Sequence, residues 1–240
     1  MSAVDILLWA VLPYLSIVLL IGGMIWRFRT DQYGWTSRSS QWQERALLRW
    51  SSPMFHFGIL FVAAGHVVGL AVPQSWTQTL GISEELYHLG ATWIGAVAAL
   101  VTLVGLGGLL YRRIVVKSVR LATSRMDILT YVLLCLAIIL GTTATVTEQI
   151  FGPTGGYNYR ETISIWFRSI PSLTPQPALM VDVPLAYRLH IAAAMVLFCV
   201  WPFTRLVHVV SAPVEYITRP YVVYRSKDEG IAAAPKPRGW

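Results

Sequence analysis

The chain has 240 residues, of which 55% are hydrophobic and 13% charged, and its formal net charge is +7. Soluble domains average about 25% charged residues, so the composition excludes an ordinary soluble domain and predicts an all-α integral membrane protein. The positive charge does not require a nucleic-acid partner, because membrane topology accounts for its distribution along the chain.

Five apolar segments are long enough to cross the hydrocarbon core as helices, which takes about 20 residues each. They cover residues 4–26, 50–72, 86–110, 127–147 and 184–210, and we number them spans one to five. Span one has no Lys or Arg before it and is too long for a signal peptide, so we interpret it as a retained span. The sequence therefore predicts a five-helix membrane domain over residues 1–210.

Basic residues are concentrated in three regions that alternate along the chain. These are the loop after span one (Arg27, Arg29, Arg38, Arg45 and Arg49), the loop after span three (Arg112, Arg113, Lys117, Arg120 and Arg125) and the tail (Arg219, Arg225, Lys227, Lys236 and Arg238). Alternate loops share one side of the membrane, and the positive-inside rule assigns that side to the cytoplasm. We therefore predict an outer N-terminus and a cytoplasmic tail, 211–240, that docks a partner; anionic lipid stays open as another contact.

The long loop 148–183 lies on the predicted outer side and contains the apolar residues Ile163, Ile165, Trp166, Phe167 and Ile170. A short helix lying in the membrane interface and an ordered loop are both compatible with this pattern.

Four of the five histidines lie inside two spans: His56 and His66 in span two, His190 and His208 in span five. Ionisable groups at membrane depth are costly and usually functional, so packing alone explains two such pairs poorly. The two spans run in opposite directions. His66 and His190 therefore fall near the outer side, and His56 and His208 near the cytoplasmic side.

Each level thus offers one imidazole from each span. This arrangement is typical of a b-type haem, whose iron is held axially by two histidines, whereas a zinc site requires three or four converging ligands. We predict one haem at each level. Neither Cys135 nor Cys199 lies in a CxxC or CxxCH motif, so neither covalent haem attachment nor a disulfide is predicted.

The two spans differ in the spacing of their histidines. Helix rise separates His56 from His66 by about 15 Å and His190 from His208 by about 27 Å. Helix tilt and a kink at Pro202 are the expected means of matching the levels.

Small residues and arginines near the histidines are candidate haem contacts. Gly58 and 192–194 leave room for a porphyrin, and close helix packing is the alternative. Arg188, Arg205 and Arg112 are candidate partners of the haem propionates. For the two arginines of span five, snorkelling to lipid headgroups is the alternative.

The histidines belong to longer motifs spread along the chain. They are Gln32-Tyr33 with Ser39-Ser40-Gln41, Phe55-His56-Phe57-Gly58-Ile59-Leu60 running to Gly65-His66, Tyr187-Arg188-Leu189-His190, Pro202-Phe203-Thr204-Arg205-Leu206-Val207-His208, Pro213-Val214-Glu215-Tyr216 and Thr218-Arg219. Together these motifs, over nearly the whole chain, resemble the γ subunit (cytochrome b subunit) of respiratory nitrate reductase.

The resemblance implies a five-span subunit that binds two haems b through the four histidines. It implies that quinol, either menaquinol or ubiquinol, is oxidised near the outer haem on His66 and His190. Electrons then pass to the inner haem on His56 and His208, and onward to an iron–sulfur subunit and a molybdenum catalytic subunit on the cytoplasmic side.

One part of the chain departs from the family pattern. Better-known bacterial members have a Lys near the quinol at the start of span three, where this chain has Glu85 and, three residues later, His88. Either group could accept the quinol proton as a general base; an interfacial His and solvated acids are the alternative. Gly65 and Gly69 beside His66 would let a quinone ring approach the haem edge.

Two other functions stay open. A proton transporter could use the histidines as a relay, but the residues between them, 58–64 and 191–202, are almost wholly apolar. A cytochrome b subunit of another quinone-linked oxidoreductase is the second alternative. The chain carries no ligand motif for molybdenum or iron–sulfur clusters, so it cannot reduce nitrate by itself.

Overall fold

The computed structural model describes residues 1–31, 34–35, 39–152 and 156–210. The predicted tail 211–240, the Gln32-Tyr33 motif and the motifs between 213 and 219 lie outside the described residues. Among the described residues, five helices are long and apolar enough to cross a membrane: Ala3–Thr30, Ala46–Ala71, Glu84–Val115, Arg125–Ile150 and Leu185–Phe203. The all-α fold with five spans is therefore confirmed, and the chain is a multi-pass membrane protein.

Polar residues set the beginnings of three spans. Ser2 and Ser124 each accept a hydrogen bond from the backbone three residues on, and an Asp at that position bonds back to the serine amide. Ser83 caps span three in a similar way, accepting from the Leu86 amide at 3.3 Å. These caps satisfy amides that a helix leaves unpaired at its N-terminus.

Span five is shorter than predicted, and the expectation of one helix over 184–210 is wrong. The α-helix covers Leu185–Val200 and is followed by 3-10 turns at Trp201–Phe203 and Arg205–Val209. Between the two turns, Thr204 is extended, with φ −113° and ψ 179°. Pro202 has no N–H to continue the α-helical pattern, which explains why the break falls here.

Glycines allow close packing between spans. A Cβ at Gly58 would lie 2.5 Å from Thr102 Oγ1, and a Cβ at Gly105 would lie 2.3 Å from the Phe55 amide nitrogen, so spans two and three meet backbone to backbone. A Cβ at Gly23 would lie 2.8 Å from Pro202, where span one contacts the break in span five. Such small-residue contacts are typical of helices in membranes.

The two ends of the bundle differ in their connections. We call one end the basic end, comprising residues 39–45, 116–124 and 204–209, and the other the opposite end, comprising residues 72–83, 151–152 and 156–184. The opposite end contains a helix at Ile163–Ser169. Ile163 and Trp166 are buried in a core with Trp9. Of the two alternatives for this loop, the structure contains the short helix. Its Ile163 and Trp166 pack within the protein, whereas Ile165 and Phe167 are exposed.

Candidate metal centres

The four histidines of spans two and five lie in two facing pairs. The ring centroids of His66 and His190 are 5.9 Å apart, and those of His56 and His208 are 6.1 Å apart. Each pair contains one residue from span two and one from the chain of span five. The structure thus pairs the same histidines that the antiparallel direction of the two spans predicts.

All four imidazoles are held by their Nδ1 atoms. Nδ1 lies 2.7 Å from the Ser52 carbonyl for His56 and 2.8 Å from the Val62 carbonyl for His66. A carbonyl oxygen only accepts, so Nδ1 carries the proton and Nε2 keeps its lone pair. Metal-binding histidines usually have their other ring nitrogen fixed in this manner.

Gly141 on span four positions the ring of His190. The Nδ1 of His190 donates to the Ala137 carbonyl on span four at 2.9 Å. A Cβ at Gly141 would lie 2.8 Å from Cε1 and 2.9 Å from Nδ1 of that ring. Only glycine leaves room for the imidazole at this position, so span four contributes to the site without supplying a ligand.

The break in span five positions His208. Its Nδ1 donates to the Arg205 carbonyl, within the 3-10 turn that follows Thr204. The Arg27 guanidinium is buried and donates to the carbonyls of Pro202 at 2.7 Å and Thr204 at 2.8 Å. The break shows why the 27 Å expected from a continuous helix does not apply, and Arg27 satisfies carbonyls that the break leaves free.

The spacing of each pair fits a metal ion held between its two rings. A metal ion binds an imidazole nitrogen at about 2 Å, so two rings on opposite sides of one ion have centroids about 6 Å apart. Among the residues that the structure describes, no group of three or more His, Cys, Asp or Glu side chains could hold a metal ion. Two imidazoles on opposite sides of one ion are also the protein ligands of a haem iron, whose other ligands come from the macrocycle.

The residues predicted to contact haem have different surroundings. Arg188 has a buried Nε without a hydrogen-bond partner, two residues from His190, which suits a carboxylate acceptor. Arg205 instead donates to Asp127 at 2.8 Å. Gly58 faces Thr102 on span three, which favours the close-packing interpretation at that position.

At the basic end, Arg112 forms hydrogen bonds with the loop after span one. Its buried guanidinium donates to Glu44 Oε2 at 2.6 Å and to Ser40 Oγ at 2.8 Å. Burial acts to raise the pKa of Glu44, but hydrogen bonds from the Leu47 and Leu48 amides and from Arg112 hold that pKa below its usual value. This arrangement ties the loop after span one to the end of span three.

The residues predicted to contact quinol differ in their exposure and in their neighbours. Gly65 is exposed beside His66, and a Cβ there would meet no heavy atom within 4 Å. Gly69 is buried, and a Cβ there would lie 3.0 Å from the Tyr159 hydroxyl. Glu85 is exposed, whereas His88 lies against Tyr159, with ring centroids 6.0 Å apart.

Sequence reasoning missed three residues that position the histidine pairs or contact His88. Gly141 and Arg27 act through contacts between distant segments, and no local motif marks either one. Glu84 was detectable, because it lies four residues before His88 and therefore on the same helix face.

The fold and the site together define a class: a five-span helical membrane protein with two facing histidine pairs at two depths. The sequence matches the family model described as "Nitrate reductase gamma subunit" over residues 5–227. The chain therefore belongs to the nitrate reductase gamma subunit family.

Individual relatives agree with this assignment. The chain is 42% identical over 221 residues to the nitrate reductase gamma chain of Bacillus subtilis, covering 92% of this chain and 98% of that one. It is 32% identical over 225 residues to the respiratory nitrate reductase 2 gamma chain of Escherichia coli, covering 93% and 97%. It is also 48% identical over 235 residues to the nitrate reductase-like protein NarX of Mycobacterium tuberculosis, covering 98% of this chain. The chain spans 36% of the length of NarX.

Proposed function

We propose that the chain is the membrane di-haem cytochrome b subunit of a respiratory nitrate reductase, oxidising quinol and passing electrons to partner subunits. The observation that carries this proposal is the pair of imidazole couples with centroids 5.9 and 6.1 Å apart. Family membership supports the nitrate-reductase context, and the names of the gamma-chain relatives support a role within a larger complex.

The four histidines hold the two haems b, with His66 and His190 at the outer level and His56 and His208 at the inner level. Because backbone carbonyls hold Nδ1, each Nε2 would be available to bind iron, and the hydrogen bond at Nδ1 would raise the basicity of the ligand. Bound haem supplies a one-electron carrier at each level. Arg188, through its unpartnered Nε, holds a propionate of the outer haem.

The basic end faces the cytoplasm in this proposal, following the positive-inside rule. An iron–sulfur subunit and a molybdenum catalytic subunit dock on that side and reduce nitrate there. The brace of Arg112 with Ser40 and Glu44 gives this end a fixed surface. The tail 211–240 adds a second, basic contact for these partners.

Quinol is oxidised near the outer pair. The exposed Gly65 beside His66 leaves the membrane-facing side of this level open to a flat ring. Gly69, one turn further along, brings the backbone of span two against Tyr159. His88 and the acids at the start of span three, including Glu85, are the candidates for accepting the quinol protons.

A pyridine haemochrome assay with stoichiometry tests the haem assignment on wild type, His66→Ala and His56→Ala. We expect two haems per chain in the wild type and one in each variant, because each substitution removes one ligand from one level only. His88→Ala is the matched control, since this fifth histidine has no facing imidazole and should leave both haems bound. Retention of two haems in both ligand variants would refute the assignment.

A further inference from the structure

Five side chains form a polar cluster at the opposite end of the bundle. We call Glu84, Tyr87, His88, Tyr159 and Arg160 the Glu84–Arg160 cluster. Arg160 Nη1 lies 3.2 Å from Glu84 Oε2, and its guanidinium carbon lies 3.9 Å from the centre of the Tyr87 ring. Glu84 Oε1 lies 3.4 Å from His88 Nε2. The cluster thus joins a carboxylate, an imidazole and a guanidinium between two aromatic rings.

Several polar atoms of this cluster have no partner. Glu84 Oε1, His88 Nδ1, and the Nε and Nη2 atoms of Arg160 are buried without a hydrogen bond. The Arg160 side chain is only 1% exposed. Leaving such groups unpaired costs free energy, most of all for charged groups. The atoms include both donors and an acceptor, so they suit a ligand group that can donate and accept.

The cluster lies next to the outer histidine pair, on the side of the opposite end. In the antiparallel contact of spans two and three, Gly58 meets Thr102 and Gly105 meets Phe55. Continued in the same register, the two helices place His88 beside residue 72. Residue 72 lies six residues beyond His66, which is about 9 Å along the helix axis. Gly69 lies between these levels, against the Tyr159 ring.

A hydroxyl group on a flat aromatic ring can satisfy the unpaired donors and the unpaired acceptor of this cluster. Its O–H can donate to the free Glu84 oxygen, and its oxygen can accept from Arg160. The rings of Tyr87 and Tyr159 add aromatic surface to the cluster, the first under the Arg160 guanidinium and the second beside the His88 ring. Arg168 adds a second positive charge to this region. Burial lowers its pKa, and so does the positive charge of Arg160, which lies near enough to act on it. This charge favours a ligand oxygen that becomes negative.

We propose that the Glu84–Arg160 cluster binds one hydroxyl of the quinol and that Glu84, supported by His88, accepts its proton. This inference rests on the proposed function. Arg160 anchors the oxygen through its free Nε and Nη2 atoms. Glu84, rather than Glu85, is the acceptor because it faces His88, whereas Glu85 is exposed.

Oxidation of one quinol to quinone breaks two O–H bonds and releases two protons and two electrons. The two electrons would pass in succession to ferric haem iron, one to each of the two haems that the proposed function supplies. The proton of the hydroxyl held by Arg160 goes to the Glu84 carboxylate and then, by way of His88, to water at the opposite end. The proton of the other hydroxyl goes to water.

Tyr159 is not the proton acceptor in this arrangement. Burial, together with its hydrogen bond to Tyr87, raises the pKa of the Tyr159 hydroxyl well above its ordinary value. The phenol therefore stays protonated, and its ring separates the cluster from Gly69. The proton must leave through the carboxylate and imidazole instead.

The test uses the haem-loaded chain in detergent or nanodiscs and three measurements. Equilibrium binding of two oxidised probes, a short-chain naphthoquinone and a short-chain ubiquinone, is followed by tryptophan fluorescence. The rate of haem reduction by the corresponding quinols is followed by stopped-flow absorbance. Haem content and midpoint potentials are measured on the same samples.

We expect Arg160→Met to weaken binding of the oxidised probe about tenfold, because a charged hydrogen bond is lost. Glu84→Gln keeps the size of the side chain but removes the proton acceptor, so haem reduction should slow about 100-fold with haem content and potentials unchanged. Glu84→Asp should restore part of the rate. Glu161→Gln, an exposed acid beside Arg160, is the matched control and should behave as the wild type.

Three outcomes would overturn the proposal. The first is wild-type binding and reduction in both Arg160→Met and Glu84→Gln. The second is slow reduction in Glu85→Gln with a normal rate in Glu84→Gln. The third is a loss of rate in Glu84→Gln that follows a loss of haem, which would indicate a structural role. Absence of haem in the wild type would instead refute the proposed function itself.

Discussion

At the scale of single residues, backbone hydrogen bonds set the direction of the imidazoles. His56 and His66 each bond to the carbonyl four residues earlier in their own helix, at 2.7 and 2.8 Å. His190 bonds instead to Ala137 on another span, at 2.9 Å. The ring of His190 therefore depends on how span four packs, and a substitution on span four should change the position of this proposed ligand.

Gly141→Ala should remove the outer haem and leave the inner one. The added Cβ would lie 2.8 Å from His190 Cε1, so the ring must turn away and lose its bond to Ala137. We expect one haem per chain in a pyridine haemochrome assay, with the spectrum of the inner haem retained. Gly107→Ala is the control, because a Cβ there meets nothing within 4 Å. Two haems with unchanged potentials in Gly141→Ala would contradict this account of the His190 position.

The sequence marked the four histidines as candidates because each lies in a predicted apolar span, where an ionisable group is rare. The residues that orient them could not be predicted in this way. Gly141 is one of several glycines in apolar segments, and only the packing of span five against span four distinguishes it. Glu84 and Glu85 are adjacent acids, and their separation into one half-buried group and one exposed group depends on how span three packs.

At the scale of elements, the break after Val200 determines the level of His208. A helix continued from Leu185 would carry His208 past the level of His56. The turn at Trp201–Phe203 and the extended Thr204 shorten the path. Pro202 predicted a kink here, but the length of the remaining helix depends on contacts with span one that no local pattern contains.

Arg27→Met should disturb the inner haem specifically. The carbonyls of Pro202 and Thr204 would lose their donor at membrane depth, and each unpaired group costs about 1–3 kcal/mol. The turn carrying His208 should then shift, so we expect a changed midpoint potential or loss of the inner haem, with the outer haem unchanged. Potentiometric titration of both haems measures this effect.

The controls for that experiment are on the same span. Arg29→Met removes an exposed arginine two residues away and should leave both potentials unchanged. Arg27→Lys keeps a donor and should restore part of the wild-type behaviour. Equal shifts of both haems in Arg27→Met would argue for a general loss of stability and against a local effect on His208.

The helix Ile163–Ser169 stabilises the opposite end through one anchoring residue. Trp166 is buried, its Nε1 donates to the Trp9 carbonyl at 2.8 Å, and the two indole rings meet edge to face at 5.9 Å. Trp166→Phe should lower the free energy of unfolding by about 1–3 kcal/mol, from the lost hydrogen bond and lost volume. Thermal denaturation in detergent measures this change. Phe167→Leu, on the exposed side of the same helix, should have little effect, and equal destabilisation by both would contradict the anchoring role.

At the scale of the whole molecule, each end of the bundle has its own polar contacts. Arg112 and Glu44 brace the basic end, whereas Arg160 and Glu84 lie at the opposite end. The sequence predicted the number of spans because apolar length is a local property. It also predicted which loops share an end, since that follows from counting spans. It did not predict that the opposite end folds inward over the bundle, because the core of Trp9 and Trp166 joins residues far apart in the chain.

The orientation of the whole chain in the membrane can be tested by labelling single cysteines. Ser172 at the opposite end and Ser118 at the basic end are both exposed. In a background carrying Cys135→Ala and Cys199→Ala, a membrane-impermeant maleimide should label Ser172→Cys in intact cells. Ser118→Cys should be labelled only after the cells are permeabilised, because the proposed orientation places this loop, with its flanking arginines and lysine, in the cytoplasm. Both variants should react in detergent, which shows that each thiol is accessible. The reverse pattern in intact cells would place the basic end outside, and electrons reaching the inner haem would then be delivered away from cytoplasmic partners.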